Sequence, residues 1–203
     1  MIKHLLVSVA ALAALTACAS TPREAGSRPP RAEASAGQVP TSQDTYIQDE
    51  IARAAGDFFG TTSEAAGQAV ARVFREQGRP VGYIRGEEAA GAIGIGARYG
   101  KGTLTLRNGA TREIYWQGPS IGFETQANAS KVFILVYNLN DPDAIYQRFP
   151  GVSGSAYFVA GIGVNYQQAG DIVLAPMRSG VGLGAGVNVN YISFTRDRQV
   201  LPL

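Results

Sequence analysis

The sequence predicts a mainly β protein: a small closed antiparallel β-barrel of about eight or nine strands, with two N-terminal helices and one short inserted helix. Three observations carry this expectation. The spacing of apolar residues is helical up to Gln77 and changes to period two after Pro80, where most strands alternate cleanly. Turn signals recur at short intervals through the alternating region. Glycine, 25 of 203 residues, gathers on single strand faces, as where Gly180, Gly182, Gly184 and Gly186 alternate with Val181, Leu183, Ala185 and Val187.

The first 18 residues read as an export signal. Lys3 sits in a short polar start, residues 5–15 form an apolar run too short to span a bilayer well, and Leu15-Thr16-Ala17-Cys18 follows. That tetrapeptide fits a bacterial lipobox, in which Cys18 is lipidated and becomes the first mature residue. The other reading is ordinary cleavage near Ala17 or Ala19, which leaves Cys18 incidental. Each buried CH2 of an acyl chain contributes ~0.8 kcal/mol, so several chains anchor a protein stably. Ala19 stands where an aspartate often retains lipoproteins at the inner membrane. The expected location is therefore the periplasm, tethered to the outer membrane by Cys18. Residues 19–42, rich in Pro, Ala, Ser and Arg, form a tether too polar to bury and expected to be disordered. Residues 43–203 form one helix-plus-barrel domain.

In the first helix Ile47, Ile51, Ala55 and Phe58 share a stripe. Thr61 is placed to cap the second helix, with Glu64 completing the capping box. Its stripe is Ala66, Ala69, Val70, Val73 and Phe74, and Gly78 and Pro80 stop it. Strands are expected over 81–85, 91–99, 102–108, 111–117, 120–125, 131–138, 155–166, 171–176 and 181–195. Asn108-Gly109 predicts a type I′ hairpin turn. Asp141 and Pro142 open a short helix over 142–148, which Pro150-Gly151 closes. The strand over 131–138 is apolar on both faces, so it should be covered on both, the outer one by a helix.

Three strands carry glycine on one face and apolar side chains on the other. The apolar row is expected to fill the barrel. The glycine row admits another backbone, and an N-terminal helix is expected to pack across part of it. The rival reading makes the smooth face of Gly182, Gly184 and Gly186 a groove for a flat or acyl ligand.

Chemistry is constrained by elimination. The only histidine is His4 and the only cysteine Cys18, both inside the export signal. The mature chain has no Ser-His-Asp triad, no Cys-His pair and no His-ligated zinc. No catalytic residue, metal or cofactor is expected. Formal charge is +2, one less without Lys3, and no basic block is interleaved with aromatics, so no nucleic-acid partner is expected. Glu87 and Glu88 read as a solvated surface turn; together with Glu124 they are the carboxylates a glycan hydrolase would have to use. Gly180 to Ala185 fits a dinucleotide fingerprint, but a strand follows where a helix is required. Trp116, in Tyr115-Trp116-Gln117-Gly118-Pro119, is either a ligand or partner anchor with Gln117 beside it, or a core aromatic. Arg178, after a strand read as an edge ending at Pro176, is either a clamp for an acidic group or a plain barrel-mouth arginine. Arg98 lies on the glycine face of its strand and joins them as a candidate contact.

Six ordered blocks carry a family resemblance: GYIRGEEAAGAIGIGARYGKGTL, YWQGPSIGFE, VFILVYNL, YQRFPGVSGSAYFVAGIG, DIVLAPMRSGVG and GVNVNYISFTR. Together with FFG at 58–60 they closely resemble the envelope integrity protein A (EipA) family of bacterial periplasmic proteins. The resemblance implies a small soluble β-barrel linked to envelope integrity, with no catalytic residues to carry over. The lipobox and long tether depart from the family pattern. GARYGKGTL and the glycine-rich C-terminal strands are more weakly similar to SYLF lipid-binding domains, which raises a lipid or amphiphile as the alternative ligand. The expected partners are the membrane, through the anchor, and an envelope protein, glycan or lipid.

Overall fold

The computed structural model describes residues 44–60, 63–124, 130–179 and 191–199, without the side chains of 63, 90–96 and 120–124. Helix α1 (Gln48–Phe59) opens where the Glu50 carboxylate accepts the Ile47 N–H at 3.0 Å, and ends at Gly60 in the left-handed region. Helix α2 (Ser63–Gln77) ends at Gly78, φ 86°, whose N–H bonds the Phe74 carbonyl at 2.9 Å, as Gly78 and Pro80 predict. The expected cap at Thr61 lies outside the described residues.

Among the described residues nine strands follow: β1 (Gly82–Leu106), β2 (Thr111–Glu124), β3 (Ser130–Tyr137), β4 (Arg148–Pro150), β5 (Tyr157–Val159), β6 (Ile162–Val164), β7 (Gln167–Ala169), β8 (Ile172–Ser179) and β9 (Tyr191–Thr195). Three expected strands are one in β1, and two are one in β2. The glycines between them bend the chain without reversing it. The turn at Asn108-Gly109 is in place but is not type I′. Only Gly109 has positive φ, Gly109 N–H bonds Leu106 O at 3.0 Å, and Leu106 N–H bonds Ala110 O at 2.9 Å. This is a type I turn closed by a glycine bulge. Both residues of the two-residue turn between β5 and β6 have positive φ, Ala160 at 49° and Gly161 at 81°. Asp141 caps a 3-10 helix, Pro142–Ile145, through the Asp143 N–H at 2.9 Å. The helix is shorter than expected, because Arg148–Pro150 pairs with β9 instead.

The sheet is antiparallel, in the order β4-β9-β2-β1-β3-β8-β6-β5, with β7 also on β8. It curls into an open half-barrel rather than the expected closed ladder. An isolated bridge, Gly151 to Gln167, links the chain after β4 to β7. The curl is made by β1, which pairs with β3 through residues 82–88 and with β2 through 92–105. Its two halves face each other so closely that a Cβ on Gly86 would lie 2.4 Å from the Lys101 carbonyl oxygen, and one on Gly102 2.5 Å from that of Arg85. Only glycine permits this approach.

Two cores result. Inside the curl, Ile84, Leu104, Ile114, Trp116, Val132, Ile134, Leu174 and Phe194 pack together. Outside it, α1 and α2 bury Ile51, Ala55, Ala69, Val70 and Val73 against Phe133, Leu135, Ile162, Val164, Ala175 and Met177. Strand β3 is thus covered on both faces, the outer one by helices, as its double apolarity predicts. A polar clamp edges the helical side. The Tyr166 hydroxyl donates to Glu76 at 2.5 Å, and Arg72 lies 3.6 Å over the Tyr157 ring.

The alternation is as expected, but the inside and outside of two strands are exchanged. Ile162 and Val164 face the helices, while Gly163 and Asn165 lie in register with the inward Arg178 strand. In β1 the buried side is that of Arg98 and Gly102, and Tyr99 is only half-buried. Among the described residues the helices dock on apolar rows, not on glycine. The glycine face admits the other half of β1 and the ring of Trp116, which lies where a Gly100 Cβ would be. The row of Gly182, Gly184 and Gly186 lies outside the described residues. Strand β8 is not an edge either: β3 pairs along one side and β6 and β7 along the other. Pro176 survives in it because its carbonyl accepts from Asn165 (3.3 Å) at the break between β6 and β7. Its missing N–H points to the same interruption.

Candidate functional site

Glu88 is the centre of the polar site. It follows Ile84 and Gly86 in phase on the inward face of β1 and is only 4% exposed, against the expected solvated turn. Glu87 points outward and is exposed, because the two residues lie in a strand. Arg178, 1% exposed at the end of β8, donates through Nε to Glu88 Oε1 at 2.5 Å and through Nη2 to Oε2 at 3.4 Å. Its Nη1 donates to Asn165 Oδ1 at 3.0 Å. Arg98 Nη1 stands 3.2 Å from Glu88 Oε1, and Trp116 Nε1 donates to Oε2 at 3.2 Å.

Three of the candidates read from sequence, Arg98, Trp116 and Arg178, therefore converge on one carboxylate that sequence reasoning set aside. The signal was there. Extending the 81–85 strand by three residues puts Glu88 in the inward phase of Ile84. Trp116 is buried as the core aromatic of its two alternatives, and its indole N–H donates to the chain's own Glu88. Arg178 does clamp an acidic group, but that group is the chain's own. Cys18 and Gly182, Gly184 and Gly186 lie outside the described residues.

The electrostatics follow from the geometry. Burial alone raises the carboxyl pKa of Glu88. The charges of Arg178 and Arg98, with the hydrogen bonds from Arg178 and Trp116, outweigh it and hold the group below its ordinary value. Glu88 is thus an ionised acceptor with its oxygens engaged. It has no proton to donate as a general acid at neutral pH, and its lone pairs are committed to cations.

Behind this cluster lies a cleft of about 310 Å³. Glu88 and Trp116 are among the residues that line it. The outward residues of β1 and β2 form its wall, where Tyr99 pairs with Gln117 and Lys101 with Tyr115. Gln117, half-buried here, keeps its carbonyl oxygen buried without a hydrogen-bond partner among the described residues. Among those residues no group of three His, Cys, Asp or Glu is placed to hold a metal, and no helix is long and apolar enough to cross a membrane.

A curled antiparallel half-barrel, backed by two helices and carrying a buried ion-paired carboxylate, defines a class of small β-barrel-like proteins. The sequence model of the family described as Envelope integrity protein A matches residues 44–203. The chain belongs to that family, which associates it with envelope integrity. It is also similar to a crystal structure titled as a β-barrel-like, uncharacterised protein from Brucella abortus. Identity is 42% over 79% of this chain and 99% of that one, with a TM-score of 0.73. No curated protein matches the sequence.

Proposed function

We propose that the chain is a non-enzymatic lipoprotein of the periplasm that supports envelope integrity through binding or scaffolding contacts. In this reading Cys18 carries the lipid, the outer membrane is the anchorage, and residues 19–42 let the domain stand off from it. The observation that supports a binding role over catalysis is the state of Glu88. It is sealed between two arginines and an indole N–H, so its chemistry is spent on holding the strands together. A carrier of lipid or amphiphile, of the SYLF type, is the alternative. It is disfavoured by an interior filled with Ile84, Ile134, Leu174 and Phe194, and by the charged groups Glu87, Lys101 and Arg198 in the cleft.

Complementation of a strain lacking the gene tests the reading. Glu124→Gln, accumulating normally, is expected to restore resistance to detergent and cell-wall stress fully. Cys18→Ser is expected to leave the membrane fraction and to restore it poorly. Failure of Glu124→Gln at normal abundance argues for carboxylate catalysis. A wild-type chain found wholly in the soluble periplasmic extract removes the anchor.

A further inference from the structure

We infer that the cleft over Trp116 is a binding site for a neutral glycan, taking hydroxyl or acetamido donors from the sugar. The inference rests on the binding reading above and names the ligand class. Four features point to it. The wall is aromatic and half-exposed, through Tyr99 and Tyr115, and such rings offer flat apolar faces with a polar rim. Tyr115 is already oriented: its hydroxyl donates to Glu113, which Lys101 holds at 3.1 Å. A ring fixed before binding loses little freedom when a ligand stacks on it.

The third feature is the Gln117 carbonyl oxygen, buried and without a partner among the described residues. A buried acceptor left unmade costs free energy, which a ligand O–H or N–H recovers once the half-buried side chain turns that oxygen toward the cleft. The fourth is charge. Lys101 and Arg198 stand with the carboxylate of Glu87 in the cleft, where Lys101 is already paired with Glu113, and Glu88 with Arg98 and Arg178. Neither a phosphate nor an ammonium ligand meets a field of one sign there. An acyl chain would strand Glu87, Lys101 and Arg198 away from water. At about 310 Å³ the cleft is at the small end of ligand sites, which span roughly 300–1,000 Å³. It therefore fits a short stretch of sugar rather than a whole polymer.

Trp116 is the only tryptophan and lines the cleft, so its fluorescence reports on this site. The experiment titrates the purified full-length chain, in a non-glycosidic detergent, with N-acetylchitotetraose and with maltotetraose. Parallel titrations use a sulfated heparin tetrasaccharide and phosphatidylglycerol vesicles. A saturable change with at least one neutral oligosaccharide is expected. Gln117→Leu and, separately, Tyr115→Ala are expected to weaken it roughly tenfold or more with melting temperatures close to wild type. Tyr115 is the safeguard, since its half-exposed side chain can be cut without opening the core. No saturation by either neutral sugar overturns the proposal, as does binding that both folded variants leave intact. Response only to the heparin fragment or the vesicles overturns it too, in favour of an anionic or lipid ligand. Such a failure leaves the envelope role standing, because complementation by Glu124→Gln, outside the cleft's lining residues, is read separately.

Discussion

Strand β3 is apolar on both faces, yet its two faces are buried by different means. Outward, Phe133, Leu135 and Tyr137 meet helices, whose side chains can shift to fill space. Inward, Val132, Ile134 and Val136 meet a chamber whose width is set by backbone: Gly86 against Lys101, and Gly102 against Arg85. The inner side also carries the charges. Val132 is in register with both Gly86 and Arg178, so the ion-paired cluster begins where that apolar row ends. A face covered by helices tolerates adjustment, whereas a face closed by glycine backbone contacts holds a charged group only at fixed positions.

The sharpest way to break this contrast is Glu88→Ala. It leaves Arg98 and Arg178 buried beside a missing partner, and removing one member of a buried pair costs about 3–5 kcal/mol. Urea unfolding should show that loss. Next come matched truncations of the two faces, Ile134→Ala inward and Leu135→Ala outward. Each should cost about 2–5 kcal/mol, with the inward change at the upper end because the backbone-limited chamber collapses less. Equal costs, or the reverse order, would remove the distinction drawn between the faces. Gly86→Ala comes third, at about 1–3 kcal/mol for overpacking against the Lys101 carbonyl, and a thermal melt checks it.

Acid sharpens the comparison further. The folded pKa of Glu88 lies below its ordinary value. Its stabilising contribution is therefore whole above the unfolded pKa and is lost as pH falls through the folded one. The stability gap between wild type and Glu88→Gln should stay constant above about pH 5 and shrink below it. The smallest effect belongs to Asp143, exposed and paired with Arg112 and Arg196 (3.2 Å) at the surface. Exposed pairs of this kind contribute little, and Asp143→Asn should leave the melt unchanged.

Several elements were legible because their cause is local. Helix α2 and its stop at Gly78, the helical cover over β3, and the Asp141 cap each follow from residues a few positions apart. The candidate arginines and Trp116 were legible for a related reason: a large or charged residue among glycines stands out. Glu88 was missed because its partners are far along the chain, Arg178 lying 90 positions away. Nothing next to it in sequence announces burial. The Asn108-Gly109 turn was placed correctly but typed wrongly, since Asn108 keeps negative φ and the strand absorbs the difference as a bulge.

By itself the sequence determined the order of helices and strands, the two-sided burial of β3 and the want of histidine or cysteine beyond residue 18. These depend on periodicity and on residue identity, which neighbours along the chain supply. Only the tertiary structure decided which face of each alternating strand is inside, that β1 is one bent strand and that two arginines share one glutamate. Alternation is symmetric under exchange of its two faces. It takes the close crossing of Gly86 and Gly102, a contact between distant parts of the chain, to break that symmetry.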